Sequence, residues 1–373
     1  MKIVYITTEL STPGGIGRVT AEKANYLTGE GHEVSIITET QGDAPSFYAL
    51  DNRVRHIDID IPLDQNKIVK LVLRKKRIKA ALENLRPDIV VHTLPYAPIK
   101  CSFKYKSVLE CHFNHDESLL RAKAFGGSLL FARIRTKYYE QTASKFDVFV
   151  ALTRQDRELW QRAGLKNVID IPNMVSFECP ETSELKSKHA IAVGRLDAQK
   201  SFDRLIRIWA KVNKKHEDWK LDIYGKGSDE EKYRKLIAGL NLSDAVHIFS
   251  PVKDIKSKYL SSSFLCLTST FEGFGLVLTE AMACGLPVVS YDTLCGPRDL
   301  INDSVNGFLV PYGDEGKYVE SVLRLIEDDR LRTDMGKNAK NGIARLSVDN
   351  VMKEWNRLFE KLLRRNSAPL FML

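Results

Sequence analysis

Residues 263–292 read SFLCLTSTFEGFGLVLTEAMACGLPVVSYD, and this stretch decides the architecture. SFLCLTST (263–270) is a short, largely apolar run, LVLTEAMACG (276–285) is helix-forming and closed by Gly285, and LPVVSYD (286–292) is apolar again. Strand, helix, strand at this spacing is the unit from which a parallel sheet is built, because parallel neighbours need a crossover. Upstream, HAIAVGRL (189–196), LDIYGKG (221–227) and AVHIFSPV (245–252) read as strands, and Phe202–Asn213 as a helix. Asn306-Gly307 marks a tight turn between short strands. Helices are expected over Tyr318–Glu327, Arg330–Ile343 and Val348–Arg364.

The first half repeats the pattern. KIVYITT (2–8), EVSIITE (33–39), DIVVHT (88–93), SVLECHF (107–113) and DVFVAL (147–152) are strand-like, with a helix over Arg18–Gly29 after a glycine turn. Short apolar strands separated by helices mean a doubly wound parallel sheet in each half. The expected division is 1–172, 173–345 and a terminal helical segment 346–373. Ligands of such sheets sit beyond the carboxyl ends of the strands, so each half should offer loops to a cleft between them.

The chain has 373 residues, 43% hydrophobic and 28% charged, which excludes disorder and gives room for two cores. No apolar run approaches the roughly 18–20 residues of a membrane span, and MKIVYITTEL is too short and polar for a signal peptide. The six cysteines show no C-x-x-C pair, so free thiols of a cytoplasmic protein are expected in place of disulfides or zinc. A net charge of +8 is unevenly spread. From Lys67 to Arg86 eight basic residues face one acid, Glu83, with Ile68, Leu71, Val72, Ile78, Leu82 and Leu85 at helical spacing. A second cluster joins Arg121, Lys123, Arg133, Arg135 and Lys137 with Phe125, Leu129, Leu130 and Phe131. These read either as solvated faces or as a peripheral contact with anionic lipid at the inner membrane face. No nucleic-acid motif accompanies them.

Two glycine loops carry chemistry. In STPGGIGRVT (11–20), Gly14, Gly15 and Gly17 precede a helix, and with Glu39 they approach a dinucleotide fingerprint; Thr20 departs from it. In the second half Arg195 leaves a strand and Lys200 opens a helix, two cations suited to a diphosphate. Phe271-Glu272-Gly273-Phe274-Gly275-Leu276 frees successive amides at a helix N-terminus. Glu280 follows eight residues after Glu272, set among apolar neighbours where a charge needs a partner.

Together these features resemble the retaining glycosyltransferases of family 4 (glycosyl transferases group 1). The resemblance covers nearly the whole chain: Gly14–Arg18, Gly31–Val34, Ile171–Asn173, Gly194–Lys200, Glu272–Glu280 and Asn306-Gly307 occur in the family's order. It implies the GT-B fold, an α/β architecture of two Rossmann-like doubly wound domains facing a central cleft, with the last helix, Val348–Arg364, crossing back to the first domain. It implies a nucleotide-sugar donor, UDP-linked in preference to GDP-linked, and a saccharide or polyprenyl-linked acceptor in cell-envelope polysaccharide or glycolipid synthesis. By resemblance, Arg195 and Lys200 hold the diphosphate, Glu272 and the amides of Gly273, Phe274, Gly275 and Leu276 meet the sugar, and Glu280 binds the ribose. Gly15 and Asn173 join the donor site; Ile16, Arg18 and His115 face the acceptor; His112 stands near the donor sugar. No metal and no cofactor is implied, since the two cations can take a metal's place and no Asp-x-Asp that would chelate one is expected. Ser250-Pro251, where the family usually has a glycine, and Gly296-Pro297-Arg298 depart from the pattern. The competing readings are an NAD(P)-dependent oxidoreductase using Gly15, Gly17 and Glu39, and a nucleotide-sugar enzyme or sensor of the same fold that transfers nothing.

Overall fold

The computed structural model describes residues 1–364; residues 365–373 of the expected terminal segment lie outside the described residues. The chain forms two compact units. One holds Met1–His115, Leu130–Met174 and the helix Val348–Arg364; the other holds Asp116–Leu129 and Val175–Ser347.

The first unit is built on seven parallel strands: β1 (Lys2–Ile6), β2 (Glu33–Thr38), β3 (Arg55–Asp58), β4 (Ile89–His92), β5 (Lys106–Glu110), β6 (Val148–Ala151) and β7 (Val168–Asp170). They lie in the order β3-β2-β1-β4-β5-β6-β7, with Ile3 opposite Val34 on one side and Ile89 on the other. Every residue of β4 and β6 is buried, as a sheet covered on both faces requires. Val4, Ile6, Ile37 and Val90 pack with Ile78, Leu82 and Leu85 of the helix Lys67–Leu85, while Phe149, Ala151 and Trp160 anchor a second cluster.

The second unit has six parallel strands: β8 (His189–Val193), β9 (Lys220–Tyr224), β10 (Val246–Phe249), β11 (Phe264–Leu267), β12 (Val288–Asp292) and β13 (Gly307–Pro311). Their order is β10-β9-β8-β11-β12-β13. The helix Phe202–Asn213 buries Phe202, Leu205, Ile206, Trp209 and Val212, a stripe at helical spacing, into this unit's core. In each sheet the winding reverses where the first strand meets the fourth, at β1/β4 and at β8/β11. Such a reversal opens a crevice beyond the strand ends.

Three expectations are revised. Asn306-Gly307 does not join two strands: Gly307 opens β13, and the Asn306 side chain closes the preceding turn onto Asn302 N (2.8 Å) and Leu300 O (3.2 Å). The helix Glu117–Phe125 belongs to the second unit, so Arg121, Lys123 and Phe125 leave the basic cluster read in the first half. The helix Lys67–Leu85 buries its apolar stripe only toward its carboxyl end; Ile68, Leu71 and Val72 are exposed. No helix among the described residues is long and apolar enough to cross a membrane.

Candidate active site

The second unit's crevice is lined by the loops that follow β8, β9 and β11. Lys200 Nζ lies 2.7 Å from Glu272 Oε1, uniting the loop after β8 with the glycine loop after β11. Their side chains are 13% and 7% exposed, enough burial to strengthen the pair and enough opening for a ligand to compete for it. Lys200 is held firmly. Ser201 beside it has φ 51°, a left-handed conformation uncommon outside glycine. Thr268 Oγ1 donates to the carbonyls of Lys200 (3.2 Å) and Ser201 (3.1 Å), and the Ser201 and Thr270 hydroxyls meet at 2.9 Å.

Arg195 extends into solvent with its side chain 65% exposed, its guanidinium 3.2 Å from Asp197 and 3.0 Å from Gln199 Oε1. Gln199 organises the crevice: its Nε2 donates to Phe271 O (3.1 Å), its carbonyl accepts from Thr270 N (2.8 Å), and its Oε1 also receives Arg121 (3.3 Å). Arg121 in turn lies over the Phe271 ring at 5.2 Å. Sequence reading missed Gln199, Ser201 and Arg121 as site residues; Gln199 sits between the cations it singled out and Ser201 directly follows the second, but Arg121 is far away in the chain.

Glu272, Gly273, Phe274, Gly275 and Leu276 form the turn into the helix Leu276–Ala283, with Gly275 at its N-cap in a left-handed conformation (φ 93°). Gly296 (φ 81°) explains one departure: a Cβ there would stand 2.5 Å from Phe274 O and 3.3 Å from Glu272 Cβ, so glycine lets this backbone press against the loop. Gly225, after β9, plays a similar part against the carbonyl of Gly194. Glu280 is buried within the helix and accepts a hydrogen bond from Tyr259 at 2.9 Å. The partner its burial demanded is thus partly supplied by a phenol, another residue that spacing could not reveal.

The first unit carries its own cluster. His112 follows β5, its Nε2 3.5 Å from Glu110 Oε1. Glu110 also accepts from Lys23, whose ammonium is fully buried and lies 4.0 Å from the Trp355 ring centroid. Burial holds the His112 imidazole below its ordinary range against the opposing pull of Glu110. Burial would raise the Glu110 carboxyl, but Lys23 and His112 outweigh it and hold it low. Burial lowers the Lys23 ammonium despite Glu110. His115 is engaged elsewhere, its ring 3.1 Å from Glu140 and edge-on to Trp160, its amide bonded to Asp156. Gly15 opens the helix Gly15–Gly29; Ile16 is exposed there, and Arg18 pairs with Glu22 (3.3 Å) and faces the Tyr48 ring (5.3 Å). Asn173 is buried, with no hydrogen-bond partner for its Oδ1 among the described residues.

Two arrangements bear on the alternatives. Glu39, the acid a dinucleotide ribose would need, is buried and gripped at both oxygens by Arg74 (2.6 and 2.8 Å). One Asp-x-Asp spacing does occur, at Asp58 and Asp60. The Asp58 carboxylate accepts from Thr38 (2.7 Å) and from the amides of Gln41 (2.9 Å), Gly42 (3.0 Å) and Asp60 (3.1 Å), tying the loop after β2 to the end of β3.

Known proteins match along this whole frame. The description Glycosyltransferase Family 4 fits residues 13–178, and Glycosyl transferases group 1 fits residues 179–342. An uncharacterized glycosyltransferase of Haemophilus influenzae is 29% identical, over 95% of this chain and 98% of its own. The GalNAc-alpha-(1->4)-GalNAc-alpha-(1->3)-diNAcBac-PP-undecaprenol alpha-1,4-N-acetyl-D-galactosaminyltransferase of Campylobacter jejuni is 26% identical, over 97% and 99%. The crystal structure of the pneumococcal O-GlcNAc transferase GtfA, in complex with UDP and GlcNAc, shares the fold with a TM-score of 0.80 at 14% identity, covering 98% of this chain and 99% of that one. With one family description on each half of the sequence and relatives aligned along nearly all of it, the chain belongs to the family 4, group 1 glycosyltransferases, enzymes of the GT-B fold.

Proposed function

We propose that this glycosyltransferase moves a sugar, with retention of configuration and without a metal, from a UDP-linked donor in preference to a GDP-linked one. The acceptor is a saccharide or polyprenyl-linked saccharide in cell-envelope polysaccharide or glycolipid synthesis. The observation that carries this reading is the Lys200–Glu272 pair at the β8/β11 reversal, beside Arg195 and a helix N-terminus. As the sugar–oxygen bond breaks, negative charge grows on the departing diphosphate. Arg195, Lys200 and the amides from Gly273 to Leu276 stabilise that charge from fixed positions. Glu272 accepts hydrogen bonds from the sugar hydroxyls and Glu280, braced by Tyr259, from the ribose. The acceptor hydroxyl attacks the face from which the diphosphate leaves, and a donor phosphate oxygen takes its proton. His112, buried beside Glu110, lines the sugar from the first domain, with Gly15 and Asn173 nearby and Ile16, Arg18 and His115 toward the acceptor.

Two relatives lend the finer terms: the Campylobacter enzyme names an undecaprenol-linked substrate, and the pneumococcal neighbour holds UDP. Titrating UDP and GDP by calorimetry in the presence of a chelator tests the donor half. UDP should bind the more tightly, and Glu280→Gln should weaken it about tenfold, the loss of one charge-assisted hydrogen bond. Unchanged affinity removes Glu280 from the site, and no binding of either nucleotide overturns the reading.

The same proposal places the first domain at an anionic membrane surface in the cytoplasm. Exposed Ile68, Leu71 and Val72 share a helix with eight basic neighbours counted through Arg86. Exposed Leu130, Phe131, Ile134 and Tyr138 alternate with Arg133, Arg135 and Lys137 on the helix Leu129–Ala143. Flotation with anionic vesicles should succeed at low salt and decline as salt rises; failure at low salt rejects the membrane contact.

A further inference from the structure

Six cysteines are scattered along the chain, yet two of them meet. Cys179 Sγ stands 3.4 Å from Cys284 Sγ, across 105 residues of sequence. Cys284 is buried at the end of the helix Leu276–Ala283, its amide bonded to Glu280 O (3.3 Å). Cys179 is only partly buried, at the start of the segment that enters the second unit's β8. That segment is clamped in place. Ser183 N donates to Cys284 O at 2.9 Å. Lys340 Nζ reaches Pro180 O (3.0 Å), Glu181 O (2.5 Å) and Thr182 Oγ1 (2.7 Å). Lys256, paired with Glu181 at 2.8 Å, brings a second ammonium close enough to interact with both thiols.

We propose that Cys179 and Cys284 are a reversible dithiol–disulfide couple, a covalent redox site of the second domain that exchanges with small-molecule disulfides. The sulfurs need to close about 1.4 Å to reach a bond of about 2.05 Å, a movement within reach of the less buried Cys179 side chain. Access and burial assign the order. Cys179 is reachable from solvent, whereas burial, with the Cys179 sulfur and Glu280 adding to it, pushes the Cys284 thiol well up. The Cys179 thiolate, its proton given to water, attacks a disulfide R′S–SR′, forming Cys179–S–S–R′ and releasing R′S⁻, which takes up a proton. Cys284 then attacks the Cys179 sulfur, its proton passing to the second departing R′S⁻. Two protein thiols are oxidised and one R′SSR′ is reduced to two R′SH, so atoms and electrons balance. Neighbouring Lys256 favours the Cys284 thiolate; Glu280 opposes it. The proposal does not rest on the donor chemistry proposed above.

The test equilibrates the full chain with mixtures of oxidised and reduced glutathione, quenches with an alkylating agent, and maps peptides without reduction. The Cys179–Cys284 linkage should exceed any other cysteine pairing by about tenfold, one decade in the exchange constant. It should vanish on adding reductant and should raise the melting temperature by several degrees. Cys179→Ser, at the less buried position, should abolish both the linkage and the shift, and Cys284→Ala should leave Cys179 as a stable glutathione adduct. A wild-type chain that stops at that adduct, or a melting shift that survives in Cys179→Ser, overturns the proposal.

Discussion

Each domain places an ion pair between a lysine and a glutamate near its central strands, and the two pairs differ in depth. Lys23–Glu110 is sealed, with both side chains at 2% exposure or less and Trp355 against the ammonium. Lys200–Glu272 lies at the open end of a crevice. A sealed pair can only hold structure together, because nothing can reach it to take either charge. A pair at a crevice mouth keeps its lysine ordered, yet can surrender it to a stronger anion. The same chemistry is thus structural in one domain and available to a ligand in the other, and depth alone decides which.

The largest expected effect breaks the sealed pair. Lys23→Met leaves Glu110 charged and buried, and should lower unfolding stability by about 3–5 kcal/mol in denaturant titrations. Adding Glu110→Leu should recover much of that loss, since a packed apolar pair avoids the desolvation penalty. If Lys23→Met alone is as stable as wild type, the contrast in depth has no energetic content.

The open pair should respond in function first. Lys200→Ala and Arg195→Ala should each lower donor turnover by roughly 10²–10³, measured as nucleoside diphosphate release. Arg195→Ala should leave the melting temperature nearly unchanged, since that side chain is mostly in solvent. Near-normal turnover in both variants would detach the crevice from catalysis.

A smaller effect appears with acid. His92, at the end of β4, has neither ring nitrogen hydrogen-bonded among the described residues, packs edge-on to Phe146, and is held down to about 3 by burial. Its folded value lies below the unfolded value of about 6.5, so below that pH the unfolded chain binds a proton that the native one refuses. Stability therefore falls from pH 6.5 downward, by about 2 kcal/mol at pH 5 for this group alone. His92→Leu should lose that much less between pH 7 and pH 5 than wild type; parallel losses would mean the ring is protonated in the native state.

Much of this was legible in the sequence wherever the signal is local. The helices Phe202–Asn213 and Val348–Arg364 appear at their expected bounds, because apolar spacing and polar flanks are both near at hand. The apolar central strands were equally plain. β3, reading Arg55-His-Ile-Asp58, and the three-residue β7 escaped, since edge strands need not be apolar on both faces. In the crevice the residue types that attract a diphosphate were visible, but not the groups that hold them. Gln199 looks like any loop amide, and Tyr259 lies 21 residues from Glu280. The meeting of Lys23 with Glu110 spans 87 residues, and that of the two thiols 105, distances over which no spacing rule operates.

The helix Val348–Arg364 has one more consequence. It belongs to the domain that the first residues begin, and it brings Trp355 to the ammonium of Lys23. During synthesis the amino-terminal sheet emerges long before this helix does. That sheet must wait, with a half-covered charge in its interior, until the chain has been made through residue 364. Nascent chains stalled short of residue 348 should therefore be the species that chaperones and proteases see.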